Sequence, residues 1–140
     1  MLDKIVDGIS VQLNSAFGDE FKIYTEQIKQ GLKPPCFFIQ LVNPMNIKLV
    51  GGRYIRQNLF DIHYFPASAE PNAECYNVQD VLYLAMEYIT ADGDLIRGIN
   101  MRGEFVDGVL HFFVNYNMVI RKIEELTFME LMQLNLNTKG

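Results

Sequence analysis

The side chains best suited to hold a transition metal or attack a carbonyl in this chain are Cys36, Cys75, His63 and His111, the only cysteines and histidines it has. On paper they make a Cys2His2 set. Zinc sites are usually built from paired half-sites, two ligands a few residues apart. Here every spacing is long, so no metal site is expected. The histidines are expected to lie on sheet faces and hydrogen-bond locally, and the cysteines to be buried thiols that pack as small hydrophobes. A Cys75–His111 nucleophile pair carries no local signature. The serines, Ser10, Ser15 and Ser68, stand in no G-x-S-x-G elbow. Asp92-Gly93-Asp94 opens like a calcium loop but lacks the later ligands of one, so Asp92, Asp94, Glu104 and Asp107 read as turn-forming, solvated carboxylates. Gly51-Gly52-Arg53 lacks the Lys-Ser/Thr of a phosphate-binding loop, and no G-x-G-x-x-G is present. No catalytic, metal-ligating or cofactor-binding residue is therefore expected, and the chain does not read as an enzyme.

The bulk numbers fit that view. A chain of 140 residues, 49% of them hydrophobic, reads as one domain, residues 1–140, with one packed core. Its formal net charge of −5 argues against a phosphate-tracking protein. No apolar run approaches the roughly 18–20 residues of a membrane span. Met1-Leu2-Asp3-Lys4 lacks a basic patch, and Asp3, Asp7 and Gly8 interrupt any signal-peptide core, so the protein is expected to stay in the cytoplasm where it is made.

The periodicity supplies the elements that would position these side chains. Leu2, Ile5, Val6, Ile9, Leu13 and Phe17 recur at helical spacing over residues 2–17 and stop at Gly18. A short strand is expected around Lys22–Gln27, then a break at Lys33-Pro34-Pro35. Cys36–Val42 reads as a strongly apolar strand ending in a turn at Asn43-Pro44. Ile47–Val50 reads as a short edge strand, Gly51-Gly52 as a hairpin tip and Arg53–Phe65 as a long strand. On that strand Leu59, Asp61 and His63 face one way, and Phe60, Ile62 and Tyr64 the other. Cys75, Val78, Leu82, Ala85, Met86 and Ile89 predict a second helix over Ala73–Ile89, followed by a turn at Ala91–Asp94. Ile96–Phe105 and Val109–Ile123 form a hairpin pattern around Asp107-Gly108. In its second strand Leu110, Phe112, Val114, Tyr116, Met118 and Ile120 share one face, and His111, Phe113, Asn115, Asn117 and Arg121 the other. Leu126–Leu136 is read as a short helix. The fold class is α+β: a mainly antiparallel sheet packed on one face by two helices.

With chemistry set aside, surface is what remains. Most of the ten Phe and seven Tyr follow the strand and helix periods and belong to the core. Phe113 does not, and it shares its face with His111, Asn115 and Asn117, a composition suited to protein contact. The hairpin residues Asn46, Lys48, Arg53, Tyr54 and Arg56, and the apolar Phe128, Met129, Leu131 and Met132 near the C-terminus, are the candidate interface residues. Arg53 and Arg56 either pair with acidic groups of a partner or serve as solvated edge charges that discourage stray pairing.

Three blocks carry a resemblance. They are Ile23-Tyr24-Thr25-Glu26 with Gln30-Gly31-Leu32-Lys33-Pro34-Pro35-Cys36-Phe37-Phe38-Ile39, then Arg53-Tyr54 with Phe60-Asp61-Ile62-His63-Tyr64-Phe65-Pro66, then Val106-Asp107-Gly108-Val109-Leu110-His111-Phe112-Phe113-Val114. With the helix around Glu74-Cys75-Tyr76 between them, they resemble the phage tail terminator family of siphophages, myophages and prophages over roughly Met1–Glu125. The blocks are core and turn residues, so they speak more to fold than to role. The resemblance implies a ring, usually a hexamer, on the head-proximal end of the tail tube. Such a ring stops tube polymerisation and meets the head connector. Its partners would be copies of itself, the major tail tube protein and the head–tail connector protein. It implies no cofactor, no membrane and no sequence-specific nucleic acid. The place implied is the virion tail, reached by assembly in the bacterial host cytoplasm. Two alternatives stay open on the residues alone: another phage neck or head–tail connector component, and a small acidic binding or immunity-type module.

Overall fold

The computed structural model describes residues 1–25 and 31–121. Two helices, α1 (Leu2–Phe17) and α2 (Pro71–Ala85), pack on one face of a sheet formed by β1 (Lys22–Tyr24), β2 (Cys36–Lys48), β3 (Arg53–Phe65), β4 (Tyr88–Ala91), β5 (Asp94–Val106) and β6 (Val109–Arg121). The strand order is β1-β2-β3-β6-β5-β4. Every pairing is antiparallel except β1 on β2. The α+β class and the one-sided helix packing are as the periodicity predicts.

Alternation sorts the sheet into two faces. Phe37, Ile39, Phe60, Ile62, Tyr64, Leu110, Phe112, Val114 and Tyr116 point toward the helices and are buried. They meet Ile5, Ile9 and Leu13 of α1 and Cys75, Val78 and Leu82 of α2 in one core. Phe17, Phe21, Phe37 and Tyr64 form a ring cluster at the end of α1, with Phe37 centred 4.9 Å from both Phe17 and Tyr64. Helix α1 lies against β4 through Gly8, where a Cβ would collide with the Thr90 carbonyl. The Gln12 amide donates to the Tyr88 carbonyl at 2.9 Å across the same contact.

Four differences from the expected elements have physical reasons. The first strand ends at Tyr24 instead of Gln27; residues 26–27 lie outside the described residues. Asn43-Pro44 does not turn the chain. β2 runs through it to Lys48, with Val42 as the extra residue of a bulge opposite β3. Beyond Phe38 this is an edge strand among the described residues, and half the N–H groups of an edge have no ladder partner, so proline is tolerated there. The second helix ends at Ala85, not Ile89. Tyr88–Ala91 is a strand whose alternate residues Ile89 and Ala91 enter the core. Finally, β5 bulges where Asn100 and Met101 stand between the Ile99–Asn115 and Arg102–Phe113 pairs. Asn100 takes a left-handed φ of 55° there, which asparagine tolerates better than most residues. The expected helix over Leu126–Leu136 lies outside the described residues.

One half-buried carboxylate ties β3 to α2. Glu74 accepts hydrogen bonds from the Tyr64 hydroxyl, from the Ala67 N–H at 3.1 Å and from the Ser68 N–H at 2.8 Å. Burial pushes its carboxyl up, but the bonds from Tyr64, Ser68 and Ala67 outweigh burial and hold it below the ordinary value. A carboxyl lowered on folding stabilises the fold above its unfolded pKa, and that contribution fades as pH falls through the folded value. Glu74→Gln is therefore expected to cost about 1–3 kcal/mol at neutral pH, where a charge-assisted bond is lost. It should also make the loss of stability in acid shallower than in the parent. Chemical denaturation at a series of pH values checks both.

Candidate functional site

The face of the sheet opposite α1 and α2, uncovered among the described residues, collects what the sequence leaves scattered. β3 and β6 pair so that His63 and His111 are direct cross-strand partners. Their rings are centred 4.4 Å apart. Asp61, one position along the same face, is 6% exposed. A single carboxylate oxygen, Oδ2, takes the N–H of His63 Nε2 at 3.1 Å and of His111 Nδ1 at 2.9 Å. The Gln40 amide oxygen also lies 3.1 Å from His63 Nε2. With only acceptors as neighbours, each of these ring nitrogens must carry its proton. Asp61 Oδ1 is buried and has no hydrogen-bond partner among the described residues. Burial pushes the Asp61 carboxyl up, yet the bonds from His63 and His111 prevail and hold it below its usual range. Phe38 and Phe65 flank His63, and Phe113 flanks His111. Arg102 lies over the Phe113 ring at 4.2 Å.

The cysteines take no part in this cluster. Cys36 and Cys75 are free and buried, and Cys75 belongs to the core on the helix side, away from His111. Burial raises the Cys36 thiol, while burial and then the neighbouring Glu74 charge push Cys75 up to about 11. Neither forms a thiolate readily near neutral pH.

A second surface lies at the far end of the β2–β3 hairpin. The register sets Asn46 opposite Arg56 and Lys48 opposite Tyr54, so these four expected interface residues share one face. Arg53 lies on the other, opposite Arg121 of β6. No carboxylate occurs in residues 42–60 or 112–121, and none of Lys48, Arg53, Arg56 or Arg121 has an ion pair among the described residues. With these four cations set aside from a net charge of −5, the remainder carries −9. Met45, Ile47 and Val50 are exposed on the same hairpin, Val50 by 87%. A pocket of about 210 Å3 separates Asn46 and Arg56 from Met1, Leu2 and Ile5 of α1. Phe128, Met129, Leu131 and Met132 lie outside the described residues.

Over this frame, a family model described as phage tail terminator protein matches residues 4–127. The chain belongs to the phage tail terminator family. It is thus a structural component of the phage tail, as the resemblance implies, and works with other tail components. Among curated proteins, no sequence match was found. Among the described residues, no helix of this tail terminator is long and apolar enough to cross a membrane.

Sequence reasoning placed His63 and His111 on sheet faces but missed their meeting. The signal was present in part. Asp61 and His63 share a face by alternation, and His111 falls on the polar face of β6. What joins them is the β3–β6 register, which spacing alone does not give.

Proposed function

We propose that this tail terminator forms a ring, most simply a hexamer, that caps the head-proximal end of the tail tube. The ring stops tube polymerisation and offers the joint to the head connector. Membership of the family supports that role, and the hairpin end supplies a means. A ring requires one patch of a subunit to meet a different patch of the next. Here a cationic and partly apolar tip, built from Lys48, Arg53, Tyr54 and Arg56 and without an ion pair among the described residues, stands against an otherwise acidic chain. Tip-to-body contact joins opposite charges, whereas tip-to-tip contact opposes like ones. The edge of β2 past Phe38, unpaired among the described residues, lies along the same hairpin and offers backbone groups to the contact.

The test is assembly of the purified chain with tail tube protein, followed by native mass spectrometry and negative-stain microscopy. Closed rings at tube ends and shortened tubes are the expected result. The double variant Arg53→Glu, Arg56→Glu should weaken ring formation about tenfold or more, because facing like charges cost several kcal/mol. Raising salt to about 1 M, where the screening length falls to about 3 Å, should weaken the parent in the same direction. A chain that stays monomeric and leaves tube length unchanged would refute the role. Rings unaffected by charge reversal would place the contacts elsewhere.

A further inference from the structure

We propose that Asp61, His63 and His111 bind a divalent transition-metal ion of the zinc class on the sheet face opposite α1 and α2. One ligand atom from each residue lies within 4.8 Å of the other two. Oδ2 of Asp61 already brings the two imidazole nitrogens to 3.1 and 2.9 Å, so small side-chain rotations suffice to seat an ion between the three. The Asp61 side chain is more than nine-tenths buried, and its Oδ1 has no partner. A buried carboxylate oxygen without a bond is costly. A bound ion, or a water on it, supplies the missing partner. Two imidazoles and one carboxylate suit Zn2+, Co2+ or Ni2+. An all-oxygen shell would favour Ca2+ or Mg2+, and a thiolate shell would favour Cu+.

Three ligands from the chain leave a fourth position open. The histidine side chains are 15% and 21% exposed, so that position can be reached from solvent. Gln40 Oε1 borders it from β2. Binding replaces the N–H···O bonds at His63 Nε2 and His111 Nδ1, so each liganding ring carries its N–H on the other nitrogen. Asp61 and His63 come from β3 and His111 from β6. The ion therefore staples two central strands on the side opposite α1 and α2.

Both histidines of the chain belong to this cluster, so imidazole involvement identifies the site. The full chain, stripped with chelator, is titrated with ZnCl2 by calorimetry. Tm is followed in parallel, and long-range 1H–15N spectra report the imidazole nitrogens. The expected result is one ion per chain, shifts at His63 Nε2 and His111 Nδ1, and a Tm rise of roughly 5–10 °C at about 100-fold excess over Kd. His111→Ala and Asp61→Asn should each weaken binding by about 10–100-fold or more, since even losing an outer-shell partner costs that much. Imidazole signals unmoved at saturating zinc would overturn the site. So would unchanged affinity in the folded variants. Where a variant fails to fold, the spectra of the parent chain decide.

Discussion

Phe37→Ala is expected to destabilise the domain by about 3–5 kcal/mol, the usual cost of deleting a buried phenyl ring and leaving its cavity. Phe37 is fully buried on the core face of β2. It touches the rings of Phe17 at the end of α1, Phe21 in the following turn and Tyr64 on β3, at 4.9, 5.9 and 4.9 Å. Aromatic pairs add about 0.5–1.5 kcal/mol each beyond area, so the upper part of the range is expected. The ring also lies where the parallel strand β1 joins the sheet, since Ile23 is its register partner. Urea unfolding monitored by circular dichroism gives the number. A loss under about 1 kcal/mol would mean that the cavity collapses without strain, as happens only where neighbours can move in. Surrounding elements as rigid as α1 and β3 make that outcome hard to reach.

Gly98→Val should be damaging for the opposite reason, too much volume instead of too little. A Cβ at residue 98 would run into the Met86 carbonyl oxygen and come within 2.8 Å of Val114 Cγ2 and 3.1 Å of Tyr116 Cε1. None of these can yield cheaply. The Gly98 N–H donates to the Glu87 carbonyl at 2.7 Å, which fixes the backbone beside the end of α2. The Tyr116 hydroxyl donates to the Met86 carbonyl at 2.7 Å from inside the core. Overpacking a tight core costs about 1–3 kcal/mol per site, and more when backbone must move. Here the moving part would be the α2–β4 junction itself. The expected loss is therefore about 3 kcal/mol or more, with Gly98→Ala somewhat milder. Thermal unfolding of both variants checks the order.

Much of this fold is legible in side-chain rhythm. α1 is read to the residue, because six apolar positions at helical spacing end at a glycine. β3 is also read to the residue, and the β5–β6 hairpin closely, because long alternation and Asp107-Gly108 leave few alternatives. Asp92-Gly93 is the same kind of turn, with φ of 52° and 83°. It joins β4 to β5, but the apolar Met86 and Ile89 continue the helical stripe of α2 and hide the short strand before the turn. The bulges at Val42 and Asn100 are equally hidden, since a bulge is a property of a pair of strands and not of one. The hairpin cations were picked out as interface candidates by residue type. That none of them has an ion pair among the described residues emerges only once β6 brings Arg121 to the same end. The Asp61 cluster needed the β3–β6 register and was out of reach of spacing alone.

The separation of Lys48, Arg53, Arg56 and Arg121 from the acidic groups of the described residues has a consequence before any contact forms. Such a molecule is an electric dipole. In the field of a neighbour it feels a torque that aligns the two head-to-tail, and the same field pushes mirror-image encounters apart. Collisions are thus pre-sorted in favour of contacts in which the cationic end of one molecule meets the acidic part of another.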